Sequence, residues 1–167
     1  MSRGFVKEGD QEETPIIPPR AALPEQAINY VTPNGWEQLQ AERAALEHER
    51  DTLPTTHEQQ RRIELAVLNG KLDLLKERIA SARIIDPTTQ PKDEVRFGAR
   101  VTYKISTSPT PQTFQIVGVD EADLSKGKIA FVAPIAVALT GHRVKDKIPF
   151  KLGAETRMIE VLEIGYE

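Results

Sequence analysis

The chain has 167 residues, a net charge of −3, 39% hydrophobic and 5% aromatic residues, which suits one ordinary domain or two small ones and offers no strongly basic surface for direct nucleic-acid binding. Cysteine is absent, excluding disulfides, thiolate nucleophiles and cysteine-based zinc sites. No apolar run approaches the ~20 residues of a membrane span, and Met1 to Asp10 lacks the apolar core of a secretory signal, so a soluble cytoplasmic protein with no membrane partner is expected.

Residues 1–31 are polar and punctuated by Pro15, Pro18, Pro19 and Pro24. They bury little apolar surface, so a disordered or docking arm is expected, with Phe5-Val6 and Ile16-Ile17 as its candidate anchors. Residues 1–31 carry 3 basic and 5 acidic groups, residues 32–86 carry 8 and 10, and residues 87–167 carry 11 and 10. That distribution favours a protein partner over nucleic acid.

Residues 32–86 read as two antiparallel helices. Thr32-Pro33 supplies an N-cap and a proline at the first helical position, with Gly35 as a mild blemish in the first turn. Leu39, Leu46 and Leu53 recur every seven residues, with Trp36 opening the same stripe. Pro54 disfavours helix in the residue before it, so the first helix is expected to stop near Thr52 or Leu53. Thr55-x-x-Glu58 and Thr56-x-x-Gln59 both fit a capping box for a second helix running from about Thr56 to Arg83. In that helix Leu65, Leu68, Leu72, Leu75, Ile79 and Ala82 form a coiled-coil seam. The connecting loop is short, so the arms fold back on each other. The second arm is the longer, ~40 Å against ~30 Å at 1.5 Å per residue, which leaves the tip projecting.

Helical periodicity ends around Ile84-Ile85-Asp86-Pro87, where residues 87–167 begin a second domain. Short strands are expected over Val95 to Phe97, Arg100 to Lys104, Thr113 to Val119, Lys128 to Val132 and Arg157 to Ile164. Pro134 to Leu139 reads as a short helix opened by its proline, and Lys147 to Phe150 as an edge strand. The fold class is therefore α+β.

Several runs resemble the Gre family of bacterial transcript-cleavage factors: Tyr30-Val31-Thr32-Pro33-Asn34-Gly35 followed by Leu39, Arg83-Ile84-Ile85-Asp86, Val95-Arg96-Phe97-Gly98-Ala99-Arg100-Val101, Ile116-Val117-Gly118-Val119-Asp120-Glu121-Ala122-Asp123 and Ala133-Pro134-Ile135-Ala136-Val137-Ala138-Leu139-Thr140-Gly141. Their joint order covers most of residues 30–167. The arm beginning Ser2-Arg3-Gly4-Phe5-Val6-Lys7-Glu8 is similar to that of a GreB-related subgroup. The resemblance implies a coiled-coil hairpin followed by a small FKBP-like antiparallel sheet domain with one short helix. It also implies a cytoplasmic transcription elongation factor, a monomer, that binds RNA polymerase at its secondary channel and acts on arrested or backtracked complexes. Such a protein has no catalytic residues or cofactor of its own. Acidic groups at the hairpin tip would help hold a shared Mg2+ in the polymerase active centre, where two-metal hydrolysis of the transcript occurs. Contact with nascent RNA and DNA would be indirect.

The pattern departs from the family at the tip. The hairpin is shorter than expected by roughly two turns per arm, and the family's Asp and Glu beside an Asn are absent. Asp51, Glu58 and Glu49 are the candidate substitutes. His48 and His57 near them make a weak alternative metal set. Candidate polymerase contacts are the acidic loop of Asp120, Glu121 and Asp123, then Pro134 and Ile135, and Arg143 and Lys145 in a basic run with His142 and Lys147; Lys126 and Lys128 add an earlier basic loop. Two alternatives accompany the cleavage-factor reading. One is a non-cleaving homologue that occupies the channel and modulates or inhibits transcription. The other is an FKBP-like peptidyl-prolyl isomerase, disfavoured because Trp36, the chain's tryptophan, lies in the hairpin rather than at the floor of a sheet-domain pocket.

Overall fold

A computed structural model describes residues 14–167; Phe5-Val6 and the run from Ser2 to Glu8 lie outside the described residues. Thr32 caps helix α1 (Pro33–Asp51) as its sequence requires: its hydroxyl accepts from the Gly35 N–H at 2.9 Å, and Pro33 takes the first position. The helix stops three residues before Pro54, where Thr52 turns its hydroxyl back to donate to the His48 carbonyl at 2.8 Å.

Helix α2 (Glu58–Ser81) is shorter at both ends than expected. The capping boxes at Thr55 and Thr56 do not form. Both residues sit in bends, and the N-cap falls on His57, which makes no side-chain cap. Their hydroxyls therefore precede the free N–H groups they would have reached. At the other end a competing pairing wins over two more helical residues. Strand β1 (Tyr30–Val31) runs parallel to β2 (Arg83–Ile84), with Arg83 N–H donating to the Asn29 carbonyl at 2.8 Å and Ile85 N–H to the Val31 carbonyl at 2.9 Å. The Asn29 amide donates to the Arg78 carbonyl and to Ser81 Oγ, so free groups at the end of α2 are satisfied.

The helices pack through the predicted leucines. Leu39, Leu68, Leu72 and Leu75 are buried, and Val31, Leu39 and Leu75 gather Trp36, Leu46, Ile79 and Ala82 around them. Leu39 early in α1 meets Leu75 late in α2, which makes the pair antiparallel. Packing thins outward: Leu53, Ile63 and Leu65 are only half-buried.

Beyond β2, a single sheet has the order β5-β4-β3-β7-β6, formed by β3 (Arg100–Ile105), β4 (Gln112–Val117), β5 (Lys128–Ala130), β6 (Lys147–Leu152) and β7 (Glu155–Gly165). The sheet is mixed rather than antiparallel: β4 and β5 run parallel, with Gln115 opposite Lys128. The chain between them, Gly118 to Gly127 with a 3-10 turn at Leu124–Lys126, carries it back to the starting end of the strand instead of closing a hairpin. Val95 and Phe97 are buried on either side of exposed Arg96, but the run is not a strand. Its backbone is bonded to the chain ends around it, Val95 N–H to the His142 carbonyl and Gly98 N–H to the Ile116 carbonyl. Gly98, at φ +89, makes the turn into β3 with Pro87 against it; a Cβ there would stand 2.8 Å from Pro87 Cγ. Helix α3 (Pro134–Leu139) follows the sequence expectation residue for residue. Edge strand β6 carries Pro149, as an edge tolerates. Ala136 and Leu139 of α3 close a core with Val95, Val101, Ile116, Ile148, Ile159 and Val161.

Candidate functional site

Two parts of the molecule carry the candidate residues: the outer end of the helix pair, and the junction at its base. At the outer end Asp51 is the last residue of α1 and Glu58 the first of α2. Glu49, His48 and His57 are exposed beside them. Asp51 Oδ1 lies 3.2 Å from Arg50 Nε, a neighbour that opposes cation binding. Among the described residues no three or more His, Asp or Glu side chains are grouped to hold a metal ion.

At the base, Glu121 joins the sheet connection to the start of α1. It is a buried carboxylate. Its Oε1 accepts from Thr32 Oγ1 at 2.5 Å. Its Oε2 accepts from the Asn34 amide at 2.8 Å and from Lys128 Nζ at 3.2 Å. Gly35 is required by this approach rather than a blemish, because a Cβ there would stand 2.8 Å from Glu121 Oε1. Gly118 is equally constrained; its Cβ would lie 2.6 Å from the Tyr30 carbonyl oxygen.

Asp120 is also committed inside the protein. One oxygen accepts from Arg20 Nε and Nη2 at 3.1 and 3.0 Å, the other from Arg78 Nη1 at 2.8 Å. Arg20 also grips Glu42 of α1 in a two-point pair at 2.5 and 3.0 Å. The hydrogen bonds it donates to Glu42 and the charge of Asp120 raise the Arg20 guanidinium above its ordinary pKa against the cost of burial. Asp123 caps the 3-10 turn through the Ser125 N–H and hydroxyl, and the hydroxyl contact chiefly lowers its pKa. The acidic loop read from the sequence as a polymerase contact therefore has structural work at all three positions. Lys128 likewise turns inward to Glu121 rather than extending the basic loop.

Outward-facing groups lie on α3 and in the loop that follows it. Arg143 and Lys145 are exposed, as is Pro134, while Ile135 is half-buried and Val137 stands out beyond it. Arg143 reaches Asp93 at 3.3 Å. Its backbone N–H donates to Asp146 at 2.9 Å, the main cause of that carboxyl's lowered pKa. Lys145 adopts φ 78, and its N–H donates to the Val161 carbonyl at 2.8 Å.

Tyr30, Phe97 and Phe131 meet pairwise at 5.6 to 5.7 Å between ring centroids. With Ile85, Ile116 and Val137 they line an apolar cavity of about 470 Å³. Trp36 is absent from it and packs in the helix pair, so the aromatic floor of an isomerase pocket is not supplied by tryptophan. Arg20, Asn29 and Asn34 escaped the sequence reading. Their partners lie up to 100 residues away, and no local spacing signals such a contact.

Residues 90–166 match the family model described as Transcription elongation factor, GreA/GreB, C-term. Transcription elongation factor GreA of Trichlorobacter lovleyi is 39% identical over 100 residues, covering 60% of this chain and 63% of that protein. GreA of Pelobacter propionicus is 36% identical over 100 residues, with the same coverage of 60% and 63%. The chain thus spans less than two thirds of the length of these curated relatives. A solved prokaryotic transcription elongation factor GreA/GreB from Nitrosomonas europaea aligns with 84% of this chain and 100% of its own, at 22% identity and a TM-score of 0.40. The C-terminal domain, whose Gly118 to Asp123 loop anchors the helix pair, is thus similar to the C-terminal domain of GreA/GreB elongation factors.

Proposed function

We propose that this chain is a Gre-type elongation factor that binds RNA polymerase at its secondary channel and acts on arrested or backtracked complexes. The observation that carries this reading is the match of residues 90–166 to the GreA/GreB C-terminal domain, joined at its Glu121 loop to a projecting helix pair. The α+β fold is read more finely as an FKBP-like domain carrying a coiled-coil hairpin. The hairpin enters the channel, and Arg143, Lys145, Pro134 and Ile135 face the rim. Contact with nascent RNA and DNA stays indirect, the protein acts as a monomer in the cytoplasm, and the catalytic centre is the polymerase's own. The GreB-related subgroup suggested by the arm is a finer proposal, resting on residues outside those described.

The second reading, a homologue that occupies the channel without stimulating cleavage, is favoured by the tip. Asp51 is held beside Arg50, and six residues separate α1 from α2 without the family's acidic loop. Catalytic groups must be positioned to within about an ångström, and a hairpin shortened by roughly two turns per arm cannot place Asp51 where a longer one would.

A stalled, backtracked elongation complex with labelled RNA separates the two. Shortening of the 3′ end by the protein, abolished by Asp51→Asn, establishes a cleavage factor with a relocated acidic group. Intact RNA together with blocked action of a known cleavage factor establishes the non-cleaving occupant. Failure to compete at all overturns both.

A further inference from the structure

Residues 17–21 cross the outside of the helix pair, and two of their contacts lie well away from its base. Ile17 seats on α2 at Gly70 so closely that a Cβ on that glycine would stand 2.0 Å from Ile17 Cδ1. Gly70 lies eleven residues before Ser81, ~17 Å up the helix at 1.5 Å per residue. Arg20 meets Glu42, ten residues beyond Thr32 and so ~15 Å up α1, while its other side holds Asp120 of the β4–β5 connection. Arg78 completes the junction, donating to Asp120 at 2.8 Å and to the Ala21 carbonyl at 2.7 Å. The side chains of Arg20, Asp120 and Arg78 are 16%, 9% and 13% exposed, shielded enough for their pairing to resist salt.

The contacts at Thr32, Asn34 and Glu121 fix where the helix pair stands. They sit at its foot, where a small rotation about them moves the tip farthest. Contacts made ~15 Å up each helix have the leverage to fix the angle. We propose that residues 17–21 are a strap that sets the angle of the helix pair against the sheet, with Arg20, Asp120 and Arg78 as its clasp. Arg20 alone bridges Glu42 of α1 to Asp120 of the sheet connection, so that link is made only with the strap in place. The angle is then a property of this chain's own N-terminal segment, and it is set in the free protein whether or not polymerase binds.

The chain lacks cysteine, so Thr55→Cys at the tip and Lys104→Cys on β3 give a labelled pair free of background. Pulsed electron paramagnetic resonance on that pair is expected to give one narrow distance distribution in the parent chain. Gly70→Ala displaces Ile17 while favouring helix, where alanine is preferred to glycine. Arg20→Ala opens the clasp without touching either helix. Each is expected to broaden or shift the distribution at unchanged helical circular dichroism. Trypsin cleavage after Arg20, slow in the parent, is expected to accelerate in Gly70→Ala. A narrow, unmoved distribution in both variants overturns the strap, and so does trypsin resistance after Arg20 that survives Gly70→Ala. None of these readouts involves polymerase, so they fail or succeed independently of the proposed function.

Discussion

At the residue scale, the strongest single commitment is the Glu121 carboxylate. It is buried and receives three donors, two of them from the start of α1. Removing one member of such a set leaves the others desolvated and unpaired, a loss that exceeds the net worth of the bonds. Glu121→Ala is expected to lower stability by about 3 kcal/mol, read as a drop in the urea midpoint of tryptophan fluorescence. Glu121→Gln keeps an acceptor for Thr32 and is expected to lose less. Thr32→Val removes both the cap on Gly35 and the donor to Glu121, and its expected cost is about 2 kcal/mol by the same measurement. Gly35 shows why residue-level reading has a limit. Its helix penalty is visible in the sequence, whereas its reason, a carboxylate from residue 121 at 2.8 Å from any added Cβ, depends on a contact 86 residues away.

At the element scale, the turns between strands are tied down by aspartates. Asp123 holds Ser125 and Asp146 holds the Arg143 N–H, each with its pKa below the ordinary carboxyl value; Asp86 likewise accepts from the Thr88 hydroxyl and N–H. The native state favours their charged forms, so the folded chain binds fewer protons than the unfolded one in acid. The stability they add is complete above the unfolded pKa of about 3.9 and is lost as pH falls through the lower folded values. Urea midpoints are expected to fall as pH drops below about 4, with a shallower fall in Asp123→Asn, whose amide still caps the turn. Sequence reading did well where an element announces itself by one local rule. Thr32-Pro33 opened α1, Pro134 opened α3, and Leu68, Leu72 and Leu75 faced the partner helix. It failed where two local options competed. The end of α2 gives way to pairing with β1, and strands of two residues carry no periodicity to betray them. The parallel β4–β5 pair was equally hidden, since alternation marks a strand but not its direction. At the candidate site, the exposed tip carboxylates and Arg143 were legible as charged surface, while Asp120 and Glu121 read the same way yet are internal. Charge alone does not tell a solvated face from a buried pair.

At the scale of the whole molecule, two apolar clusters share one junction. The helix pair closes around Val31, Leu39 and Leu75, and the sheet domain around Val95, Ile116, Ile159 and Val161. What joins them is polar: the Glu121 carboxylate and the Asp120 clasp, helped by Tyr30 against Phe97 and Phe131. Two cores unfold as one only while the free energy binding them together exceeds the difference in their separate stabilities. Trp36, the chain's tryptophan, belongs to the helix-pair cluster, and so reports on that cluster alone. Helical ellipticity follows the same region, whereas amide exchange on Val101, Ile116 and Val161 follows the sheet core. In the parent chain, tryptophan fluorescence and sheet-core exchange are expected to give the same unfolding free energy. Glu121→Ala cuts the junction without removing an apolar side chain from either cluster. Fluorescence is then expected to melt at lower urea than the sheet core opens, splitting one transition into two. Coincident transitions in that variant would mean that the aromatic contact and the Asp120 clasp suffice to couple the cores, and would move the weight of the junction from Glu121 to them.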